Sequence, residues 1–190
     1  MLMVFFTITD KEREKRDVQL EAALSSMAQG KVGAMEEFYE LSKSQVYGFA
    51  LSILKNAHDA QDVMHDAYIK AFQAAAIYTP KGTPMAWLLT IVRNLALMKL
   101  RSRARTTDSG EETIKLFVAE GKIPATEDKV VLEAAISELK DDERQIVMLH
   151  AVAGFKHREI ASVMELSVNT VLSKYNRALK KLRAKLEVSE

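Results

Sequence analysis

The chain has 190 residues, of which 48% are hydrophobic, so it is long enough for one or two domains with buried cores. It contains no cysteine, which excludes disulfides and thiolate metal sites and suits a reducing cytoplasm. The net charge of +1 conceals an uneven distribution, because basic segments at 79–106 and 161–190 flank an acidic segment at 107–135. This pattern favours contact with a polyanion at two separate surfaces.

The N-terminal half is predicted to be helical. Residues 1–17 are expected to form a loose extension, because their apolar start is too short for a membrane span and lacks the basic residues of a signal peptide. Helical periodicity then covers 18–78, with a break near Asn56. The helix after the break is expected to bury three apolar side chains: Val63, Ile69 and Phe72.

That same helix carries an acidic face, since Asp59, Asp62 and Asp66 stand at i, i+3 and i+7. An exposed acidic face suits a basic protein surface, although many such faces are simply solvated. His58 and His65 lie nearby at spacings that a metal could use with Asp62 and Asp66. Because these four side chains need not share a pocket, we expect no metal site.

A loop is predicted at 78–84, which contains two prolines and a glycine, and another helix follows it. One face of this helix is apolar and should pack against the core: Trp87, Leu88, Ile91, Leu95 and Met98. The opposite arc is polar and basic: Arg93, Asn94, Leu97, Arg101 and Arg105. Arginines can hold phosphates and an asparagine can meet a base edge, so this arc predicts a nucleic-acid surface.

The C-terminal part is predicted to be a second helical domain, 129–190, reached through a flexible linker at 106–128 with weak periodicity. Within it, a short helix ends near Glu165, and Ser167 can cap a longer helix that follows. Two helices joined by a tight turn are typical of a helix-turn-helix. The second helix has a polar, basic face whose first turns carry Asn169, Thr170, Ser173, Lys174 and Arg177. The plainer interpretation is an amphipathic helix with a solvated basic face.

Three groups of residues together resemble the extracytoplasmic-function sigma factors of the sigma-70 family. Residues 59–72 (DAQDVMHDAYIKAF) resemble sigma region 2.2, and residues 84–96 (PMAWLLTIVRNLA) resemble regions 2.3 and 2.4. Residues 139–144, 154–161 and 166–171 resemble region 4. The order of the motifs along the chain is also that of the family, which makes the resemblance far more specific than any one motif.

The resemblance implies an all-α fold of two small helical domains, a sigma region 2 bundle at 18–105 and a region 4 helix-turn-helix at 129–190. It implies a cytoplasmic alternative sigma factor that binds core RNA polymerase and directs promoter-specific transcription initiation. The expected partners are core polymerase, promoter DNA and an anti-sigma factor. We expect no catalysis, cofactor, small-molecule substrate or membrane insertion. The alternative is a free-standing helix-turn-helix regulator whose N-terminal half binds a partner or dimerises.

The resemblance also assigns surfaces. Core polymerase is expected to contact Asp59, Asp62 and Asp66. The −10 element is expected to contact Arg93, Asn94, Arg101 and Arg105. The −35 element is expected to contact Asn169, Thr170, Ser173, Lys174 and Arg177. The chain departs from the family at four positions: Lys140 (usually proline), Glu165 (usually glycine), Leu172 (usually lysine) and Lys174 (usually arginine). These departures imply weaker or differently specific binding to DNA, and Leu172 could be either buried or exposed.

Overall fold

The computed structural model describes residues 9–106 and 135–187, and within these ranges it contains helices and no β-strand. The helices are α1 (Asp10–Ala28), α2 (Ala34–Leu54), α3 (Ala57–Ala74), a 3-10 turn (Ala75–Ile77), α4 (Pro84–Thr106), α5 (Asp141–Ala151), α6 (His157–Met164) and α7 (Val168–Glu187). The predicted linker at 106–128 lies outside the described residues after Thr106.

Helix α1 begins earlier than the sequence pattern suggested. The Thr9 hydroxyl accepts a hydrogen bond from the Glu12 amide, and the Glu12 carboxylate accepts one from the Thr9 amide, which together form a capping box. Arg13, Arg16 and Asp17 are buried. The expectation of a loose extension through residue 17 is therefore wrong from Asp10 onward. The Thr-x-x-Glu spacing was the signal for this helix start.

The N-terminal domain is built around α2, which packs against α1, α3 and α4. Phe38 is fully buried and meets the ring of Tyr68 edge-on, with 6.1 Å between ring centroids. The Tyr68 hydroxyl shares a hydrogen bond of 2.7 Å with buried Ser42. This bond satisfies two polar groups inside the core, and burial raises the pKa of Tyr68.

The buried face of α3 differs from the one expected. Val63 is buried, but Ile69 and Phe72 are 44% and 56% exposed. Three alanines at i, i+7 and i+11 occupy the buried face instead: Ala60, Ala67 and Ala71. Small side chains let α3 lie close to its neighbours, so the larger residues of α3 turn outward. On α4, Met98 is likewise 61% exposed rather than packed.

The C-terminal domain consists of α5, α6 and α7, and its turn has the predicted cap. The Ser167 hydroxyl accepts a hydrogen bond from the Thr170 amide at 3.1 Å. Glu165 ends α6 in the left-handed region at φ 56°, a conformation that costs a non-glycine residue about 1 kcal/mol. Lys140 donates its amide to Glu143 at 3.2 Å, a bond that proline could not make. Two of the four departures, Lys140 and Glu165, therefore have a structural consequence.

The two domains lie directly against each other. Helix α5 packs on α2, and α6 packs on α4. A single cluster of buried apolar side chains includes Phe49 and Leu51 of the first domain and Ile146 and Phe155 of the second. The linker was expected to leave the arrangement of the domains open, whereas the structure holds them in contact.

Candidate protein and nucleic-acid interfaces

The three aspartates of α3 fall into different environments. The Asp59 side chain is 13% exposed and pairs with Lys99 at 3.0 Å and Arg103 at 2.6 Å. Asp62 is half-exposed and pairs with Lys99 at 2.6 Å, and this hydrogen bond lowers the pKa of Asp62. Asp66 is exposed. The expectation of a uniformly exposed face is therefore wrong for Asp59, which joins α3 to α4.

Ile69 and Phe72 extend the exposed part of α3, although the sequence pattern predicted that both would be buried. Ile69 and Phe72 follow Asp66 by three and six residues and are exposed. Ile69 also lines a shallow groove of about 470 Å³ between α2 and α3, together with Tyr39 and His65. Exposed apolar groups with polar residues at their edge mark a protein-binding surface. We call Asp62, Asp66, Ile69 and Phe72 the α3 surface.

On α4, the predicted −10 residues are mostly accessible. Asn94, Arg101 and Arg105 are exposed. Arg93 is half-buried, and its Nε is buried without a hydrogen-bond partner among the described residues. Asn94, Arg101 and Arg105 are therefore the exposed members of the predicted −10 set, and we call them the α4 surface.

Trp87 at the start of α4 is partly buried and packs against the core. Its ring lies 4.9 Å from that of Tyr78, measured between centroids. The Tyr78 hydroxyl donates a hydrogen bond to Glu21 of α1 at 3.1 Å, and burial raises the pKa of Tyr78 to about 12. Tyr78 and Trp87 thus fasten the 78–84 loop and the first turn of α4 to α1.

The polar face of α7 is also accessible. Asn169, Ser173 and Arg177 are exposed. Thr170 is half-buried, with its hydroxyl 2.8 Å from that of Ser167, and Lys174 pairs with Asp142 of α5 at 2.7 Å. We call Asn169, Ser173 and Arg177 the α7 surface.

Leu172 does not belong to the packed face of α7. Its side chain is 38% exposed, whereas Val171 and Ala178 are fully buried. Of the two alternatives for Leu172, the exposed position is therefore the observed one.

A metal site and a membrane span would each require a particular arrangement of the described residues. In residues 9–106 and 135–187, no group of three or more metal-binding side chains is arranged to hold an ion. His58 stands 3.9 Å from Asp62, and His65 lines the α2–α3 groove. Across the same two ranges, no helix is long and apolar enough to cross a membrane.

Comparison with known proteins decides the family. The sigma-70 region 2 model matches residues 38–106, and the sigma-70 region 4 model matches residues 129–182. The ECF RNA polymerase sigma factor EcfG of Rhodopseudomonas palustris is 30% identical over 141 residues, which are 74% of this chain and 78% of that protein. The chain belongs to the extracytoplasmic-function sigma factors. It is accordingly an alternative sigma factor that directs transcription initiation, and the free-standing regulator is set aside.

Other comparisons agree with this ECF sigma factor assignment. The ECF RNA polymerase sigma factor SigK of Mycobacterium ulcerans is 28% identical over 182 residues, which are 92% of this chain and 97% of that protein. The sigma factor RpoE of Bartonella quintana, solved with the anti-sigma factor NepR, has the same fold (TM-score 0.69, 22% identity, 84% of this chain and 100% of that chain). CnrH, solved with the cytosolic domain of CnrY, matches with a TM-score of 0.62 at 22% identity, over 90% of this chain and 98% of that chain. The all-α, two-domain architecture expected from the sequence is confirmed.

Proposed function

We propose that this sigma factor binds core RNA polymerase through the α3 surface, reads the −10 element with the α4 surface and reads the −35 element with the α7 surface. The observation that carries the proposal is that each family-matched domain presents accessible side chains of the required chemistry. The chain acts by binding rather than by catalysis, and it acts in the cytoplasm, where its polymerase and promoter partners are found. Co-elution of the purified chain with core polymerase on a sizing column tests this function; elution apart from it would contradict the proposal.

The α3 surface combines the two features that a polymerase contact needs. Asp62 and Asp66 attract a basic partner and set its orientation, while Ile69 and Phe72 supply apolar area that is lost from water on binding. Asp59 supports this surface indirectly. By pairing with Lys99 and Arg103, it fixes the position of α3 relative to α4.

On the DNA side, α4 contacts both phosphates and a base of the −10 element, and α7 contacts bases of the −35 element. Arg101 and Arg105 hold phosphates near the −10 element, with Arg93 contributing once a side-chain movement exposes it. Asn94 meets a base edge or an unstacked base. On α7, Asn169, Ser173 and Arg177 meet the −35 bases in the major groove. Thr170 and Lys174 join them after exchanging their present partners.

Replacing Arg101 and Arg105 by alanine is expected to weaken binding of the holoenzyme to all promoters alike. Each lost phosphate contact removes about 0.9 from the slope of log K against log salt, so the double variant should lose about two units. Anisotropy of a labelled promoter fragment across a salt series measures the slope. The control is Lys11→Ala with Lys15→Ala, which removes the same charge from exposed positions on α1. An equal change in both variants would show that the phosphate contacts lie elsewhere.

Replacing Leu172 by lysine is expected to strengthen promoter binding several-fold at low salt without changing −35 preference. The side chain is partly exposed on α7, so a new ammonium can reach one phosphate and adds about 0.9 to the salt slope. Competition binding with −35 variants measures preference and affinity together. Leu172→Gln serves as the uncharged control. A changed preference, or a gain equal to that of glutamine, would refute a phosphate contact at this position.

An anti-sigma factor is the proposed regulator of this chain. The Bartonella quintana RpoE structure holds the anti-sigma factor NepR, and the CnrH structure holds the cytosolic domain of CnrY. The α3 and α7 surfaces of this chain offer exposed faces that such a protein can cover. Native pull-down from the host before and after stress tests the proposal. A stoichiometric partner other than polymerase is expected before stress; recovery of polymerase alone under every condition would refute it.

A further inference from the structure

Met98 stands apart from the other large apolar residues of α4. Among the described residues of this helix it is the one large apolar side chain in an exposed position, with 61% of its surface accessible. By contrast, Leu88, Leu89 and Val92 of the same helix are fully buried. Isolated apolar residues are common on protein surfaces and need no special explanation. Met98 needs one because of the side chains that surround it on the helix.

Met98 lies within the α4 surface. At about 100° per residue it stands about 40° around the helix from Asn94, while Arg101 and Arg105 stand within about 20° of Asn94. At about 1.5 Å per residue it follows Asn94 by about 6 Å and precedes Arg101 by about 4.5 Å along the helix axis. All four side chains are exposed. An amide that can meet a base therefore lies on one side of the thioether, and guanidinium groups that can meet phosphates lie on the other.

The cations of α4 are divided between two faces of the helix. Lys99 and Arg103 face α3 and pair with its carboxylates at distances of 2.6 to 3.0 Å. Within the described ranges, no carboxylate pairs with Arg101 or Arg105. The positive charge that α4 can offer to a polyanion is thus on the side where Met98 is exposed. Nucleic acid attracted to that charge is brought against the methionine side chain.

A thioether is well suited to the face of an unstacked base. Methionine is unbranched, has three rotatable side-chain bonds, and carries a polarizable sulfur that contacts aromatic rings favourably. Methionine is among the apolar residues that proteins insert where base steps are unstacked, and flipped bases are held between aromatic or apolar side chains. In an intact duplex the neighbouring bases cover each base face. Met98 can therefore make this contact only after a base has left the stack.

We infer that Met98 packs against the face of one unpaired base of the −10 element, beside the groups that Asn94 and Arg101 hold. The contact favours the melted promoter over the closed one, because it forms in the melted state alone. It tolerates different bases, since every base has a flat face. The inference rests on the proposed function of the α4 surface and deepens it, by assigning a side chain that stabilises the melted strand.

Met98→Ala is expected to weaken binding of the holoenzyme to single-stranded −10 DNA by about threefold to tenfold, the range that loss of a sulfur–aromatic contact allows. The probes are fluorescent oligonucleotides of each strand of the −10 segment, taken from a promoter that this chain transcribes. Binding to the same segment as a closed duplex at low temperature should not change. The slope of log K against log salt should also stay the same, because no charge is lost.

Two further variants separate an apolar contact with a base from a general effect of truncation. Met98→Leu should retain most of the affinity for the single strand, because leucine keeps a similar apolar volume. Val18→Ala shortens another exposed apolar side chain, on α1, and should bind like the unmodified chain. A loss of affinity for core polymerase itself in Met98→Ala would assign Met98 to a protein contact and would overturn the inference.

Abasic sites placed one at a time along the bound strand locate the contacted base. At one position the abasic site should weaken binding of the unmodified chain and have no further effect on Met98→Ala. Additive losses at every position, an equal loss on the closed duplex, or unchanged binding of Met98→Ala to the single strand would refute the Met98 contact alone. Failure of the unmodified holoenzyme to bind either strand would refute the proposed −10 surface, and the inference with it.

Discussion

Reversing two charges on the α3 surface, Asp62→Arg together with Asp66→Arg, is expected to weaken binding to core RNA polymerase by about a hundredfold. Like charges brought together at an interface cost several kcal/mol, and both side chains are accessible on one face of α3. Titration of labelled chain with core polymerase measures the affinity. The loss should shrink as salt is raised, because screening weakens contacts between exposed charges.

The matched control reverses two exposed glutamates on other helices, Glu14→Arg on α1 with Glu37→Arg on α2. It should bind polymerase nearly as well as the unmodified chain. Since Asp62 pairs with Lys99, a second variant, Asp66→Arg with Phe72→Ala, tests the same surface without disturbing that pair. Unchanged affinity in both α3 variants would place the polymerase contact elsewhere.

Replacing Arg144 by alanine is expected to lower the free energy of unfolding by about 3–5 kcal/mol. The guanidinium is almost fully buried. Its removal takes away a hydrogen-bond donor from the carbonyls of Ser52 and Leu139 and an ion-pair partner from Asp141. Urea denaturation followed by circular dichroism measures the change. Arg158→Ala, an exposed arginine on α6, should change stability by less than about 0.5 kcal/mol. A loss below about 1 kcal/mol at Arg144 would mean that its contacts are not maintained in solution.

The helix-turn-helix was largely predictable because its signals are local. Ser167 caps α7 by accepting a hydrogen bond from the amide of Thr170, only three residues later in the sequence. The buried residues Val171 and Ala178 of the same helix are separated by a helical spacing of seven. The buried face of α3 was not predictable from hydrophobicity alone. Alanines took the packed positions because close approach of helices favours small side chains, which left Ile69 and Phe72 outside.

The contacts between distant parts of the chain could not be read from the sequence. Asp59 meets Arg103 across 44 positions, and Arg144 meets the Ser52 carbonyl across 92. Periodicity describes which face of a helix is buried, but not which other helix covers it. For this reason the sequence indicated the polar residues of the three surfaces, while the exposure of Ile69 and Phe72, the pairing of Asp59 and the contact between domains came only from the structure.

Promoter-specific transcription is a direct test of whether this chain acts as a sigma factor. Core RNA polymerase is incubated with genomic promoter fragments, with and without this chain, and the transcripts are mapped. Discrete start sites are expected to appear only with the chain, to be lost with Asp62→Arg/Asp66→Arg and to be retained with Glu14→Arg/Glu37→Arg. Identical transcripts with and without the chain would contradict its assignment as a promoter-directing subunit.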